Sequence, residues 1–212
     1  MLSLRAVNQF YGSQHTLWNV DLDLPKGLCT GIVGLPGMGK TTLMNCITGA
    51  LPVESGTIVW HEAGAPPCDL LSKIPEQRSL LGIGYVPQDR RIFSQLTIED
   101  NLHIAVRATG MPDAAVKSDI YDLFPQLYAL RQTRANALSP EDQYQLALAN
   151  ALVNRPQVLI LDEPMHGAGQ SFAQKLGQLL VRLSQELGMT VLLAEQQLSF
   201  IRRFADRFCM LY

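Results

Sequence analysis

Short β-type runs open the chain, and turn signals separate them. Tyr-Gly-Ser at 11–13 and Pro-Lys-Gly at 25–27 form two of these signals. The third run ends at Gly34 and leads into a helix-like stretch from Lys40 to about Ala50, which predicts a strand, a loop and a helix in succession. The strand candidates in this part of the chain are LSLRAV, TLWNVDLDL, GLCTGIVG, SGTIVW and GIGYV.

The pattern becomes helical between Gln88 and about Asn150, which we interpret as an inserted helical lobe. Two continuous apolar runs follow, VLILDEP and TVLLAEQ, separated by a helical stretch over about 171–187. Apolar strands without alternation, linked by helices, predict a parallel sheet covered on both faces. The fold class is therefore α/β. The segment HEAGAPPCDL at 61–70 is a predicted loop, and ADRFCMLY is a predicted final strand.

Composition narrows the class of protein. With 212 residues and 47% apolar content, the chain is large enough for one domain with an inserted lobe. A net charge of −2 gives no global positive field, so we expect no nucleic-acid partner. The apolar runs fall short of the roughly 20 residues of a membrane span, and no secretory signal is visible, so the expected location is the cytosol. Four scattered cysteines predict packing residues rather than a metal site or disulfides.

The strongest chemical motif is GLPGMGKTT, which matches the phosphate-binding loop pattern G-x-x-x-x-G-K-[ST]. Its position after a strand and before a helix is the context that this loop requires. Backbone N–H groups and the helix N-terminus would surround phosphate oxygens, Lys40 would reach the terminal phosphates, and the Thr41 hydroxyl would ligate Mg²⁺. The predicted nucleotide-binding residues in this loop are Gly34, Leu35, Pro36, Gly37, Met38, Gly39, Lys40, Thr41 and Thr42.

A second motif, VLILDEP, places two carboxylates after an apolar strand. We expect Asp162 at the carboxyl end of that strand, next to the strand of the phosphate-binding loop, where it can hold the magnesium shell. Glu163 would then polarise a water towards the γ-phosphate. By itself, an acidic pair after an apolar strand is at least as likely to be a plain cap of the strand end, with no catalytic role. Together with the phosphate-binding loop it favours a Walker B motif with a catalytic glutamate, and so an ATPase.

The motifs together resemble the nucleotide-binding subunit of an ABC transporter. They cover essentially the whole chain in the family's order: GLPGMGKTT, YVPQD, LSPEDQYQLALANAL, LILDEP and LLAEQ. A finer resemblance, to the ATPase subunits of branched-chain amino-acid importers and their urea-importer relatives, is carried by FYGSQHTLWNV, YVPQDRRIFSQLTIEDNL, DLFPQL and LLAEQQLSF. Between those two solutes the sequence leans slightly towards urea.

This resemblance implies a P-loop NTPase fold with a mostly parallel core sheet and an N-terminal antiparallel β portion. We expect one ABC ATPase domain over 1–212, with its core at 1–88 and 151–212 and a helical subdomain at about 89–150. It also implies ATP and Mg²⁺ as cofactors. The implied partners are a second ATPase subunit, identical or different, transmembrane permease subunits and, indirectly, a solute-binding protein. The implied location is the cytoplasmic face of the plasma membrane. The family usually extends some way beyond a position like Tyr212.

Three further residues take roles from the resemblance. Tyr11 matches the aromatic residue that stacks on adenine, although a half-buried core tyrosine is the alternative. Gln88 matches the Q-loop amide that contacts Mg²⁺ and the attacking water, although a lone glutamine after proline more often lies in a surface loop. Gln196 matches the catalytic switch position, where most relatives carry histidine, and it can contribute only hydrogen bonding.

The signature segment departs from the family's L-S-G-G-Q pattern. It comprises Leu138, Ser139, Pro140, Glu141, Asp142 and Gln143. In the family this segment contacts the γ-phosphate bound by the opposite subunit. Pro140 removes an N–H, and the two carboxylates after it bring negative charge towards an anionic ligand unless they turn away. Two alternatives follow: a weakly hydrolysing, nucleotide-clamping subunit of an asymmetric heterodimer, and a soluble ABC protein of repair or translation, which the single cassette disfavours. His166 is expected to be an exposed loop residue without a chemical role.

Overall fold

The computed structural model describes residues 1–110 and 112–212, apart from the side chains of 113–116. Four strands form an antiparallel sheet in the order β2-β1-β4-β5. These strands are β1 (Leu2–Tyr11), β2 (Gln14–Leu24), β4 (Ser55–Trp60) and β5 (Cys68–Asp69). The predicted antiparallel β portion is therefore present, and the predicted loop at 61–70 includes β5.

Five other strands form the parallel core sheet: β3 (Cys29–Val33), β6 (Ile83–Val86), β7 (Val158–Asp162), β8 (Thr190–Glu195) and β9 (Arg207–Met210). Their order is β6-β7-β8-β3-β9. Every residue of β3, β7 and β8 is buried, as expected for strands covered on both faces. One expectation was wrong: β7 does not lie next to β3, because β8 pairs with both of them.

Helices cover the parallel sheet and form the lobe. Their bounds are α1 (Lys40–Thr48), α2 (Pro75–Leu81), α3 (Ile98–Thr109), α4 (Asp113–Leu123), α5 (Pro125–Ala129), α6 (Pro140–Leu152), α7 (Gln170–Val181) and α8 (Leu198–Phe204). Helices α3 to α6 occupy the segment for which a helical lobe was predicted. The helix α2 had no counterpart in the sequence analysis. Within residues 1–110 and 112–212, no helix combines the length and apolar character that crossing a bilayer requires.

Two apolar clusters lie on opposite faces of the parallel sheet. The first contains Ile160 and Leu192 from the sheet, and it is closed by the antiparallel sheet and α1. The second contains Leu161 and Leu193, whose side chains alternate to the other face. It continues without interruption into the lobe, where Leu102 of α3 belongs to the same cluster. The four cysteines are free thiols that are buried or half-buried, in agreement with a packing role.

Candidate functional site

The loop between β3 and α1 has the conformation that its glycines permit. Gly37 and Gly39 adopt φ values of 83° and 89°, which residues that have a Cβ atom rarely adopt. A Cβ on Gly39 would also lie 3.0 Å from the Leu17 side chain and 3.3 Å from the carbonyl oxygen of Thr16. The chain can therefore turn tightly and start α1 at Lys40, so that the free N–H groups of the first helical turn face the loop.

The Lys40 ammonium lies inside a shell of oxygen atoms. Its Nζ donates to the carbonyl oxygens of Gly34 at 2.7 Å and Leu35 at 3.0 Å. It also lies 3.0 Å from Oε1 of Glu163, and the two side chains are only 4% and 11% exposed. An ammonium ion with three donors suits phosphate oxygens as well as carbonyl or carboxylate oxygens. Lys40 is thus a buried cation held at the base of the loop by oxygen atoms that phosphate oxygens could replace.

Thr41 and Asp162 meet at the start of α1, across the intervening strand β8. The Thr41 hydroxyl donates to Oδ2 of Asp162 at 2.7 Å. Burial raises the pKa of this carboxyl, and the hydrogen bond from Thr41 acts in the opposite direction. Oδ1 of Asp162 is buried and has no well-formed hydrogen bond within the described part of the chain, although the Tyr85 hydroxyl lies close enough to the carboxyl to lower its pKa. One unsatisfied carboxylate oxygen beside a hydroxyl is a donor set that fits Mg²⁺, which prefers oxygen ligands.

Glu163 follows Asp162 in a left-handed backbone conformation, with φ of 45°. This conformation is unfavourable for a residue other than glycine, and it is often found where strain serves a functional site. Its N–H donates to the carbonyl oxygen of Ala194 at 2.8 Å, which fixes the turn. The side chain then lies between Lys40 and Gln196, whose Nε2 is 3.4 Å from Oε2. His166 is exposed, as expected, with Nδ1 at 4.0 Å from the same carboxylate.

These groups surround one open cleft of about 420 Å³. Tyr11, Gln88, Glu163 and Gln196 line the cleft. The loop residues that line it are Pro36, Gly37, Gly39, Lys40, Thr41 and Thr42, whereas the predicted residues Gly34, Leu35, Met38 and Asp162 do not. Tyr11 lies at the rim, with 48% of its surface exposed. A larger cavity of about 640 Å³ lies between α4 and the turn before β8, but none of the predicted site residues lines it. The smaller cleft is therefore the candidate site, because the charged and hydrogen-bonding groups converge there.

The signature segment lies outside this cleft, at the start of α6. Ser139 caps the helix: its oxygen accepts the N–H of Asp142 at 3.1 Å, and its hydroxyl donates to Oδ2 of Asp142 at 2.7 Å. Oδ1 of Asp142 accepts from Gln126 at 2.7 Å, so this carboxylate turns into its own lobe. Gln143 accepts from Arg90, just after the Q-loop, at 3.3 Å. The segment is thus tied to its own chain through Ser139, Asp142 and Gln143.

The sequence analysis missed one charged residue beside the site. Glu195 ends the apolar strand β8 and is 1% exposed. Its carboxylate accepts the N–H of Met165 at 2.8 Å and that of Gln196 at 3.0 Å. Burial raises its pKa, and the hydrogen bonds from Gln197, Met165 and Gln196 oppose that shift. The available signal was a carboxylate at the end of a wholly apolar run, since glutamate is almost never fully buried without a partner.

Comparison with known proteins agrees with this geometry. The family model described as ABC transporter matches residues 17–166. A probable branched-chain amino acid transport ATP-binding protein, LivF, of Archaeoglobus fulgidus is 34% identical over 207 residues, which are 97% of this chain and 86% of that protein. The high-affinity branched-chain amino acid transport ATP-binding protein BraG of Pseudomonas aeruginosa is 33% identical over 211 residues, or 98% of this chain and 87% of that protein.

The fold is also similar to that of an ABC transporter cassette among the solved structures. The dimeric structure of MJ0796, a bacterial ABC transporter cassette, superposes with a TM-score of 0.86 at 23% identity, and covers 100% of this chain and 94% of that one. Fold and site together define a P-loop cassette of the ATPase type. This chain belongs to the ABC transporter family. The family and the fold class that the sequence motifs predicted are thereby confirmed.

Proposed function

We propose that this chain, the ATP-hydrolysing subunit of an ABC importer, binds Mg-ATP in the cleft between Tyr11 and Glu163 and drives the uptake of branched-chain amino acids. The observation that carries the proposal is that Lys40, Thr41 and Glu163 line one cleft, while the buried Asp162 accepts a hydrogen bond from Thr41. Each of these groups has the chemistry that the hydrolysis of a nucleoside triphosphate requires.

The roles follow from the contacts. Lys40 exchanges its oxygen partners for phosphate oxygens, and the N–H groups at the start of α1 bind the same anion. Thr41, Asp162 and the Gln88 amide would hold Mg²⁺, which would neutralise phosphate charge. Glu163 accepts a proton from the attacking water, and Gln196 orients that carboxylate through its amide. The Tyr11 ring supplies a flat face for adenine.

Phosphate release from the chain, purified with the subunits that accompany it, tests this function. We expect Mg-ATP hydrolysis that Lys40→Ala and Glu163→Gln each reduce by about 10²-fold or more. Arg182→Ala removes an exposed ion pair with Glu186, remote from the cleft, and serves as the control. Hydrolysis that survives both site substitutions would show that the reaction takes place elsewhere.

The names of LivF and BraG support branched-chain amino acids over urea as the solute. We expect the chain to act with permease subunits and a solute-binding protein, at the cytoplasmic face of the membrane. Vesicles containing the purified transporter, loaded with ATP, should take up labelled leucine faster than labelled urea. The reverse preference would assign urea, towards which the sequence motifs lean.

The signature segment supports a second candidate, in which this subunit clamps nucleotide and hydrolyses it weakly on one side of a heterodimer. Pro140 lacks an N–H, and the Ser139 hydroxyl already donates to Asp142. A partner's nucleotide facing this segment would therefore find fewer donors than in relatives with two glycines. Glu163→Gln in this chain and the equivalent change in the partner should then lower turnover unequally. Equal losses would leave a symmetric ATPase.

A further inference from the structure

The buried carboxylate of Glu195 joins two backbone segments that meet at the candidate site. Oε1 accepts the N–H of Met165 at 2.8 Å, while Oε2 accepts those of Gln196 at 3.0 Å and Gln197 at 3.1 Å. Among the described residues it forms no ion pair with a basic side chain. The three amides are therefore its stabilising partners, and a buried carboxylate accepting several N–H groups holds them in one geometry.

Both segments carry a group that faces the cleft. Met165 follows Glu163 by two residues, and the Glu163 N–H is bound to Ala194, the residue before Glu195. The end of β8 thus accepts hydrogen bonds from the N–H groups of Glu163 and Met165. These bonds stabilise the left-handed conformation of Glu163. In the second segment, Glu195 accepts the backbone N–H of Gln196, and the Gln196 side chain donates to the Glu163 carboxylate.

We propose that Glu195 is a positioning residue for ATP hydrolysis. It fixes the position of Glu163 relative to Gln196 by accepting hydrogen bonds from the backbone of both segments. The inference rests on the proposed function. Glu195 does not line the cleft, so it acts through these two residues rather than on the substrate. A neutral side chain of the same shape cannot replace it, because an amide offers one accepting oxygen and turns a donor towards an N–H.

Three variants separate positioning from simple stabilisation. Glu195→Gln should lower kcat for Mg-ATP by about tenfold or more, since small misplacements of catalytic groups are costly. KM should change less than about twofold, because a slightly misplaced Glu163 keeps its charge beside Lys40 and the phosphate-binding loop is untouched. Glu195→Asp keeps the charge and both acceptors and should recover part of kcat. The matched control is Asp206→Asn, because Asp206 also accepts a backbone N–H, that of Cys29 at 2.7 Å, at the opposite end of the sheet.

Amide hydrogen exchange of the same samples gives a second readout that does not need turnover. Peptides spanning 163–170 and 194–199 should exchange faster in Glu195→Gln and return towards the parent rate in Glu195→Asp. The inference is overturned if the parent hydrolyses ATP and Glu195→Gln has the parent kcat, or if exchange in those peptides is unchanged. A parent chain without hydrolysis in any preparation would instead refute the proposed function, and the positioning role would fall with it.

Discussion

Glu163→Gln is expected to tighten nucleotide binding as well as slow hydrolysis. Nucleotide binding must draw Lys40 away from the carboxylate, which lies 3.0 Å from its Nζ in a pair that is 4% and 11% exposed. At an effective dielectric constant of about 20, two charges at this distance attract by about 5.5 kcal/mol, which is the ceiling of the effect. The amide keeps a carbonyl oxygen for Lys40, and Gly34 and Leu35 still bind it, so only part of this energy is released.

A gain of about 1.4–2.8 kcal/mol in binding free energy is the expected result, which is a Kd about 10 to 100 times lower. Calorimetric titration with a non-hydrolysable ATP analogue and Mg²⁺ measures it directly. Glu186→Gln is the matched control, since it removes a carboxylate whose partner Arg182 is exposed and distant from the cleft, and it should leave Kd unchanged. An unchanged or higher Kd in Glu163→Gln would refute the idea that this ion pair competes with phosphate.

Three further predictions address the pH dependence, the adenine contact and the fold. Without Mg²⁺, Asp162→Asn should raise Tm, because the pKa of the buried Asp162 carboxyl is raised and its ionisation therefore lowers the stability of the folded state. The gain in Tm should be absent well below pH 3.8 and should grow as the pH rises above that value. A gain that shrinks as the pH rises would contradict the direction of this pKa shift. Tyr11→Ala should weaken ATP binding about fivefold, from about 1 kcal/mol of stacking, whereas Tyr11→Phe should bind like the parent in the same titration. Gly56→Ala should lower the free energy of unfolding in urea by about 2–4 kcal/mol, because φ is 100° and the new Cβ would strike the Ala6 carbonyl; an unchanged midpoint would contradict that clash.

Local sequence patterns predicted the loop between β3 and α1 and the acidic end of β7, and the structure contains both. Both depend on residues close together in the chain, such as the glycines before Lys40 and the apolar run before Asp162. The order of the parallel strands was not predictable in this way, because it depends on pairing between distant segments. The expectation that β7 adjoins β3 was therefore wrong, and Asp162 contacts Thr41 across the width of β8.

The missed elements lack the signals on which sequence interpretation depends. Helix α2 has a single buried residue, Arg78, and no apolar stripe. It is held by the guanidinium group, whose Nη1 donates to the carbonyl oxygens of Cys46 and Ile47 at 2.8 and 2.9 Å at the end of α1. Glu195 was overlooked for a related reason, because its partners are backbone amides brought together only by the fold.

The apolar cluster shared by the lobe and the sheet limits how the two parts can be recombined. Leu148 of α6 and Leu102 of α3 belong to the same interior as Leu161 and Leu193. A lobe transplanted from a related cassette would have to pack against sheet residues that fit different side chains. Mismatched side-chain volumes at this contact would leave voids or clashes. Chimaeras of such cassettes should therefore exchange α6 and the inner residues of β7 and β8 as one block.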